Sequence, residues 1–100
     1  IGPIASLNST GKCVGCTLDG LQASQLKAGL VITDLSNSSI QNANFTGINL
    51  TNANLSNINF NGTNLSNANL SGTQIGSTTF TNTNCTSTNF TGAKFIQIFC

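Results

Sequence analysis

Four cysteines are the residues of this chain whose type and spacing could carry chemistry. Cys13 and Cys16 form a Cys-x-x-Cys pair, and Cys85 and Cys100 lie much further along the chain. The pair could be a disulfide, two free thiols, or part of a metal or redox site. A redox dithiol expects a neighbouring βαβ pattern, which is absent, and zinc expects four ligands. Because the chain has no histidine and the other cysteines are distant, a structural disulfide is the favoured interpretation.

No set of catalytic residues accompanies these cysteines. Asp19 and Asp34 are the only carboxylate side chains, and the many Ser and Thr residues have no base to activate them. Lys12, Lys27 and Lys94 are scattered and are interpreted as solubilising charges. We therefore expect no enzymatic activity, no cofactor and no metal site.

Charge and hydropathy exclude two further classes of function. Only 5% of the residues are charged and the net charge is +1, so the chain lacks the basic surface of a nucleic-acid binder. It has no apolar run of about 18 residues, so no membrane span is predicted.

The elements that must position the cysteines follow from a five-residue rhythm. From Leu30 onward, every fifth residue is Leu, Ile, Phe or Cys. The residue two places earlier is small or β-branched, the residue just before is most often Asn, and Ser/Thr and then Asn/Gly/Ser follow. Large residues at this spacing are Leu30, Leu35, Ile40, Phe45, Leu50, Leu55, Phe60, Leu65, Leu70, Ile75, Phe80, Cys85, Phe90, Phe95 and Cys100.

This five-residue unit predicts a short extended piece followed by a corner. An extended piece places the large residue and the residue two before it on one face, while Asn and Gly tolerate the left-handed corner conformation. Four such sides close a square coil of about twenty residues, and coils stack at ~4.8 Å. The predicted inward columns are Leu30–Leu50–Leu70–Phe90, Leu35–Leu55–Ile75–Phe95, Ile40–Phe60–Phe80–Cys100 and Phe45–Leu65–Cys85.

The unit resembles the motif of the pentapeptide-repeat family, A(D/N)LXX. It is matched by Ala43-Asn44-Phe45, Ala53-Asn54-Leu55 and Ala68-Asn69-Leu70. The resemblance covers residues 28–100 and implies an all-β fold, a right-handed quadrilateral parallel β-helix of about four to five coils. The segment TGKCVGCTLDGLQASQL resembles the start of envelope and lumen members, which often carry Cys-x-x-Cys before the first coil. This chain departs from the family in using almost no Asp and in replacing many inward Ala residues by Thr.

The predicted organisation is an N-terminal arm or cap, residues 1–12, followed by the β-helix, residues 13–100. The arm is expected to be extended because it is short and contains a proline. Leu21, Leu26 and Val31 are out of step with Leu30 by one place, which predicts an imperfect first coil with a bulge near Gly29–Ile32.

The C-terminal segment is apolar and uncharged, which predicts association between ends of the solenoid. An uncovered coil presents unpaired backbone groups, and solenoids normally carry polar caps. Association of like ends would give a closed dimer and association of opposite ends an open fibre. The residues expected to associate are Phe95, Ile96, Ile98, Phe99 and Cys100.

The remaining cysteines and the chain start indicate an oxidising compartment. Cys85 and Cys100 occupy inward places on adjacent sides, where they could bridge, pack as small apolar residues, or reach a neighbouring subunit's Cys13 or Cys16. The chain begins at Ile1, which we interpret as the start of a mature exported chain. We expect an extracytoplasmic location: secreted, cell surface, periplasm or lumen.

Three functions follow from these observations. The first is a non-enzymatic exported structural protein that associates with itself, without nucleic acid. The second is a module that binds ice or polysaccharide through flat Ser/Thr/Asn sides, with hydroxyls at Thr46, Thr51, Ser56, Ser66, Ser71, Thr81, Thr86 and Thr91. The third is implied by the family, some of whose members imitate DNA and protect gyrase; the short length and lack of acidity disfavour it.

Overall fold

The protein is a rod of stacked coils in the computed structural model, which describes residues 2–94, 98 and 100. The rod measures 35 × 22 × 22 Å. Its helical elements are α1, Pro3–Thr10, and a 3-10 turn, Ala23–Gln25. Residues outside them pair through single-residue parallel bridges, and no longer strand is found in the described part. From Asp34 to Lys94 these bridges join residues twenty apart, for example Asn44 to Asn64.

Four sides make up each twenty-residue coil because a bridging residue occurs at every fifth position. The corners follow the large residues by two places. There Asn adopts the left-handed conformation with φ near 60°, as at Asn67, and Gly does so at Gly72. A β-carbon on Gly72 would overlap the side-chain Oδ1 of Asn52 one coil earlier, so a larger residue at this corner would require the Asn52 side chain to move.

The large residues point inward and fill the rod. Leu35, Leu50 and Leu65 are among those with no exposed surface, and Phe80 is 4% exposed. The rings of Phe60 and Phe80 stack with centroids 5.6 Å apart and an interplanar angle of 22°. This is the aromatic stack that the twenty-residue column predicts.

Several threonines occupy the inward position two places before a large residue, and their hydroxyls form hydrogen bonds between coils. Their hydroxyls donate across the coil interface to the carbonyl of the large residue twenty-three positions earlier: Thr63 to Ile40, Thr83 to Phe60 and Thr88 to Leu65. Thr83 Oγ1 lies 2.9 Å from the Phe60 carbonyl oxygen. The hydroxyl therefore compensates for placing a polar atom in a position where the family motif has alanine.

We expect Thr83→Val to lower the free energy of unfolding by about 1 kcal/mol, because a buried hydrogen bond is lost without a change in shape. The Phe60 carbonyl keeps its bond from the Thr63 N–H, which limits the effect. Urea unfolding compared with the exposed control Thr86→Val, expected to be near neutral, measures it. Equal stability of the two variants would show that the hydroxyl bond contributes nothing.

The N-terminal segment is a helix and not the extended arm that we expected. Pro3 stands in the first turn, where its missing N–H costs nothing, and Gly11 ends the helix with φ 74° and an N–H bond to the Leu7 carbonyl. Leu7 is fully buried against the core. The Asn8 amide accepts from the Lys27 N–H at 2.8 Å and donates to the Gln25 carbonyl at 3.0 Å. The helix is therefore a cap that is bonded to the first coil.

The first coil, residues 12–33, is longer than the others. Its bridges, such as Gln22 to Asn44, join residues twenty-two apart. The two additional residues lie between Gln22 and Asp34, which includes the bulge predicted at Gly29–Ile32. Ile32 is buried while Val31 is 71% exposed.

The predicted place of Leu30 in an inward column is wrong. Instead of beginning the column above Leu50, it is only half-buried, and no backbone bridge joins its segment to the next coil among the described residues. The cause is the two-residue excess, which moves residues 27–32 out of register. Because it falls before Asp34, the later columns are unaffected.

At the other end, the structure covers part of the predicted columns. Phe90 and Cys85 are half-buried, Ile98 is half-buried and Cys100 is exposed. Phe95, Ile96 and Phe99 lie outside the described residues, so their predicted places in the core and in end association stay predictions.

Candidate functional site: uncharged sides and cysteine-closed ends

Two adjacent sides of the rod carry only amides and hydroxyls. We call them the Asn44 side and the Asn49 side. Each places Asn just before the inward residue and Ser or Thr just after it, in every coil from residue 44 to residue 91. The Asn44 side comprises Asn44, Thr46, Asn64, Ser66, Asn84 and Thr86; the Asn49 side comprises Asn49, Thr51, Asn69, Ser71, Asn89 and Thr91.

The charged residues lie in the first coil, at the start of the second coil and near the C-terminal end of the rod. Residues 35–93 contain no charged side chain. The bridge column that begins at Lys12 includes Asp34 and Lys94, the following side carries Asp19, and Lys27 lies near Asn49 at the start of the Asn49 side. From residue 44 to residue 91 the Asn44 and Asn49 sides therefore form a continuous uncharged polar surface that turns one corner.

The Asn side chains on these sides are held in one orientation. The Asn69 Oδ1 accepts the backbone N–H of Ser71 at 3.0 Å, and Asn89 binds Thr91 in the same way at 2.9 Å. Asn44 Oδ1 also accepts the hydroxyl of Thr46 at 2.7 Å. In each case the Nδ2 group of these Asn residues makes no hydrogen bond to another described residue. The surface therefore offers ordered columns of amide donors at ~4.8 Å spacing.

Sequence reasoning included Asn with Ser and Thr on the flat sides of the binding alternative. It did not predict how the Asn amides are oriented. The available signal was Asn followed two residues later by Ser or Thr, as in Asn49-Leu50-Thr51, which favours a side-chain-to-backbone turn. Such a turn uses the amide oxygen and leaves the nitrogen facing outward.

Cys13 and Cys16 form a disulfide at the start of the first coil. Cys13 is buried and continues the inward column of Leu35, since its N–H donates to the Asp34 carbonyl. The buried Ser38 hydroxyl donates to the Cys13 carbonyl at 3.0 Å and accepts from the Cys16 N–H at 3.1 Å. The structure thus places this pair in a structural loop.

Cys85 and Cys100 form the second disulfide, with Cα atoms 5.9 Å apart. Of the alternatives that the sequence left open, the structure has the bridge within one chain. It closes a loop across adjacent sides at the C-terminal end of the rod. Neither pair is free to ligate a metal, and among the described residues no group of three His, Cys, Asp or Glu side chains could hold one.

Asp19 joins the first coil to the second. Its Oδ1 accepts the Gln41 N–H at 2.9 Å and the Ser39 hydroxyl at 2.7 Å. The backbone bond from Gln41, followed by the bond from Ser39, lowers the pKa of the Asp19 carboxyl below its ordinary value, against a smaller opposing effect of desolvation.

We expect this carboxyl to make stability pH-dependent in acid. A folded-state pKa below the unfolded one stabilises the fold above about pH 4, and that contribution is lost as the pH falls through the folded value. The effect is small because Asp19 is exposed to solvent. Thermal unfolding at pH 7 and below pH 3 should show a smaller acid-induced loss for Asp19→Asn than for the unchanged chain. Identical losses would contradict the assignment.

The described part of the chain contains no helix long and apolar enough to cross a membrane. Two small cavities border the first coil. One, of about 300 Å³, lies between α1 and the first coil near Ile4 and Leu18, and the other, of about 320 Å³, lies beside Leu30 and Val31.

The five-residue sequence pattern and the four-sided coil both agree with a known sequence profile. The profile of pentapeptide repeats matches residues 33–67, 43–82 and 68–98, with eight copies of the motif. The chain belongs to the pentapeptide-repeat family. The fold is therefore the right-handed β-helix of that family. No curated protein matches the sequence significantly.

Solved pentapeptide-repeat structures share this fold. A pentapeptide repeat protein from the Arabidopsis thaliana thylakoid lumen is 29% identical, with a TM-score of 0.72, and the match covers 87% of this chain and 56% of that one. QnrB1, a plasmid-mediated fluoroquinolone resistance protein, is 17% identical, with a TM-score of 0.65 and coverage of 86% and 55%.

HetL, involved in heterocyst differentiation regulation in the cyanobacterium Nostoc, is 23% identical, with a TM-score of 0.53 and coverage of 82% and 44%. This pentapeptide-repeat chain therefore spans about half the length of these structures. At these identities, the likeness to QnrB1 and HetL concerns the fold alone.

Proposed function

We propose that this pentapeptide-repeat chain is a non-enzymatic binding module that recognises an uncharged, hydroxyl-rich polymer, a polysaccharide, through the Asn44 and Asn49 sides. The observation that carries the proposal is the ordered set of free Asn Nδ2 groups beside Ser and Thr hydroxyls. Neutral donors and acceptors suit a neutral partner, because no charge has to be desolvated on binding. Side chains already held in place lose little freedom when they bind.

An extracytoplasmic location forms part of the proposal. Two disulfides are stable in oxidising compartments, and the lumen protein, at 29% identity, supports such a place for this chain. Neutral polysaccharides occur at cell surfaces and outside cells. The absence of charge between residues 35 and 93 also leaves no acidic surface with which to imitate DNA.

Affinity electrophoresis through gels containing soluble amylose, β-1,3-glucan or hydroxyethyl cellulose tests this function. The unchanged chain should be retarded, and the double variant Ser71→Lys with Thr91→Lys should lose at least about 10-fold in affinity, since two charged side chains would project over the Asn49 side. The matched control is Ser56→Lys with Gly76→Lys, at the equivalent places on the side that already carries Asp34 and Lys94.

Equal retardation of both double variants, or none for the unchanged chain in any gel, would reject the polysaccharide. Thermal hysteresis of freezing without retardation would assign the same surface to ice.

We propose self-association as the second candidate, supported by the uncharged stretch from residue 35 to residue 93, which leaves no repulsion between like charges on two copies of the chain. The half-buried Phe90 ring would be covered in such a contact.

Sedimentation velocity over a range of concentrations tests self-association. The sedimentation coefficient should rise with concentration for the unchanged chain and for Thr91→Lys, and should stay constant for Phe90→Lys. Circular dichroism checks that Phe90→Lys remains folded. A concentration-independent monomer in all three cases would reject this function and would leave the polysaccharide proposal standing.

A further inference from the structure

The coils are joined by a ladder of backbone hydrogen bonds, and we call each residue whose N–H and C=O both bond to the neighbouring coil a rung. One such rung is missing on the Asn49 side. In the later coils the Asn69 N–H donates to the Ile48 carbonyl at 2.9 Å, and the Asn69 carbonyl accepts the Leu50 N–H at 2.8 Å. Asn89 repeats this pattern with Ala68 and Leu70. The equivalent N–H and C=O of Asn49 face the first coil and bond to no described residue.

The cause is the two-residue excess of the first coil. The preceding segment satisfies its own backbone locally: the Leu26 N–H donates to the Ala23 carbonyl at 3.1 Å, and the Leu30 N–H donates to the Lys27 carbonyl at 3.2 Å. It therefore offers no rung to Asn49. Asn49 is exposed, so water can pair with its N–H and C=O in the free protein. It is a backbone pairing site that the protein itself does not use.

A cavity of about 320 Å³ lies at this gap, and we call it the rung groove. Its lining includes Leu26, Leu30, Val31 and Ile48, beside Asn49. Val31 is 71% exposed, although inward residues of the next coil such as Leu50 are fully buried. The rung groove therefore combines an apolar lining with an unpaired backbone donor and acceptor.

Charge at the groove indicates the chemistry of its occupant. Lys27 is the only charged residue among those that line the described groove. A carboxylate on the occupant would complement it. A second copy of the chain is a poor source, since its two carboxylate side chains are engaged: Asp19 with Gln41 and Ser39, and Asp34 with the Ser36 N–H.

We propose that the rung groove binds an extended peptide segment of a partner protein, which supplies the missing rung. The peptide exchanges two backbone hydrogen bonds with Asn49, inserts a branched apolar side chain among Leu30, Val31 and Ile48, and places an acidic side chain near Lys27. Strand addition of this kind takes its affinity from the main chain and its specificity from the side-chain pocket. The site is separate from the proposed polysaccharide surface, because it uses the Asn49 main chain and not its side chain.

Amide hydrogen exchange followed by NMR examines the open rung directly. The Asn49 amide should exchange at least about 100-fold faster than those of Asn69 and Asn89, which are hydrogen-bonded. The probe is a panel of end-blocked heptapeptides based on Ac-Ser-Thr-Val-Asp-Val-Thr-Ser-NH2, with Val, Ile or Leu at the two apolar places.

The binding member of the panel should shift the resonances of Asn49 and Val31 and slow exchange at Asn49 at least about 10-fold. Replacing its apolar residues by proline should abolish binding, because proline removes the peptide N–H. Lys27→Gln should weaken binding about 3- to 5-fold, while the matched control Lys12→Gln should not change it.

Three results would overturn the inference. They are the absence of Asn49 protection by any panel member, equal binding of the proline peptides, and shifts at Asn49 and Val31 that arise from concentration alone. The last would assign the groove to a second copy of the chain.

Discussion

We expect replacement of Phe60 by alanine to lower the free energy of unfolding by about 3–5 kcal/mol, the largest effect of any single substitution in this chain. Phe60 has no exposed surface and lies between two other rings. Its centroid is 6.5 Å from that of Phe45 in an edge-on contact and 5.6 Å from that of Phe80 in a stacked one. Its loss removes apolar burial and leaves a cavity at the centre of the rod.

Backbone constraints strengthen this expectation. The coil cannot collapse around the cavity, because bridges on either side, Asn59 to Thr79 and Asn64 to Asn84, hold successive coils at the strand spacing. Urea unfolding at 25 °C measures the effect, with Phe60→Leu as the control that keeps most of the volume. A loss for Phe60→Ala no greater than that for Phe60→Leu would show that the core relaxes more than the ladder allows.

Removal of the Cys85–Cys100 disulfide is expected to have the second-largest effect. The bond closes a loop of fifteen residues, so replacing both cysteines by serine should cost about 3 kcal/mol through the greater freedom of the unfolded chain. The change should also open the last rungs, and amide exchange should accelerate more at Asn84 and Asn89 than at Asn64 and Asn69.

The first disulfide provides the comparison for this measurement. Cys13 and Cys16 are three residues apart, so by the same argument their replacement should cost less, about 2 kcal/mol. Urea unfolding of both double-serine variants ranks them. If the Cys13–Cys16 variant were the less stable, the hydrogen bonds that Ser38 makes to that loop would outweigh the entropy of loop closure.

The fold of the regular coils could be predicted from the amino-acid sequence because its rule is local. A large residue every fifth place, with Asn or Gly two places later, determines which side chains face inward and where the chain turns. Phe60 and Phe80 are twenty residues apart, and that spacing alone predicted their stacking. A register of this kind tolerates little ambiguity, since a slip of one residue would expose every large side chain.

The ends of the rod depended on contacts that no local rule describes. Residues 3–10 have weak helical periodicity, and their helix is stabilised where Leu7 packs on the core and Asn8 bonds to Gln25 and Lys27. The sequence indicated a bulge near Gly29–Ile32 from the broken register. It could not show that Leu30 would leave its column while Ile32 was buried.

The candidate binding surfaces divide in the same way. The sequence by itself determined that residues 35–93 are uncharged and that Asn and Ser/Thr recur on neighbouring sides, because composition and period are properties of the chain. Only the tertiary structure decided that the Asn Nδ2 groups are ordered and free, and that Asn49 has no backbone partner. Both features depend on which atoms are in contact across coils twenty residues apart. Packing and register, rather than residue type, determine those contacts.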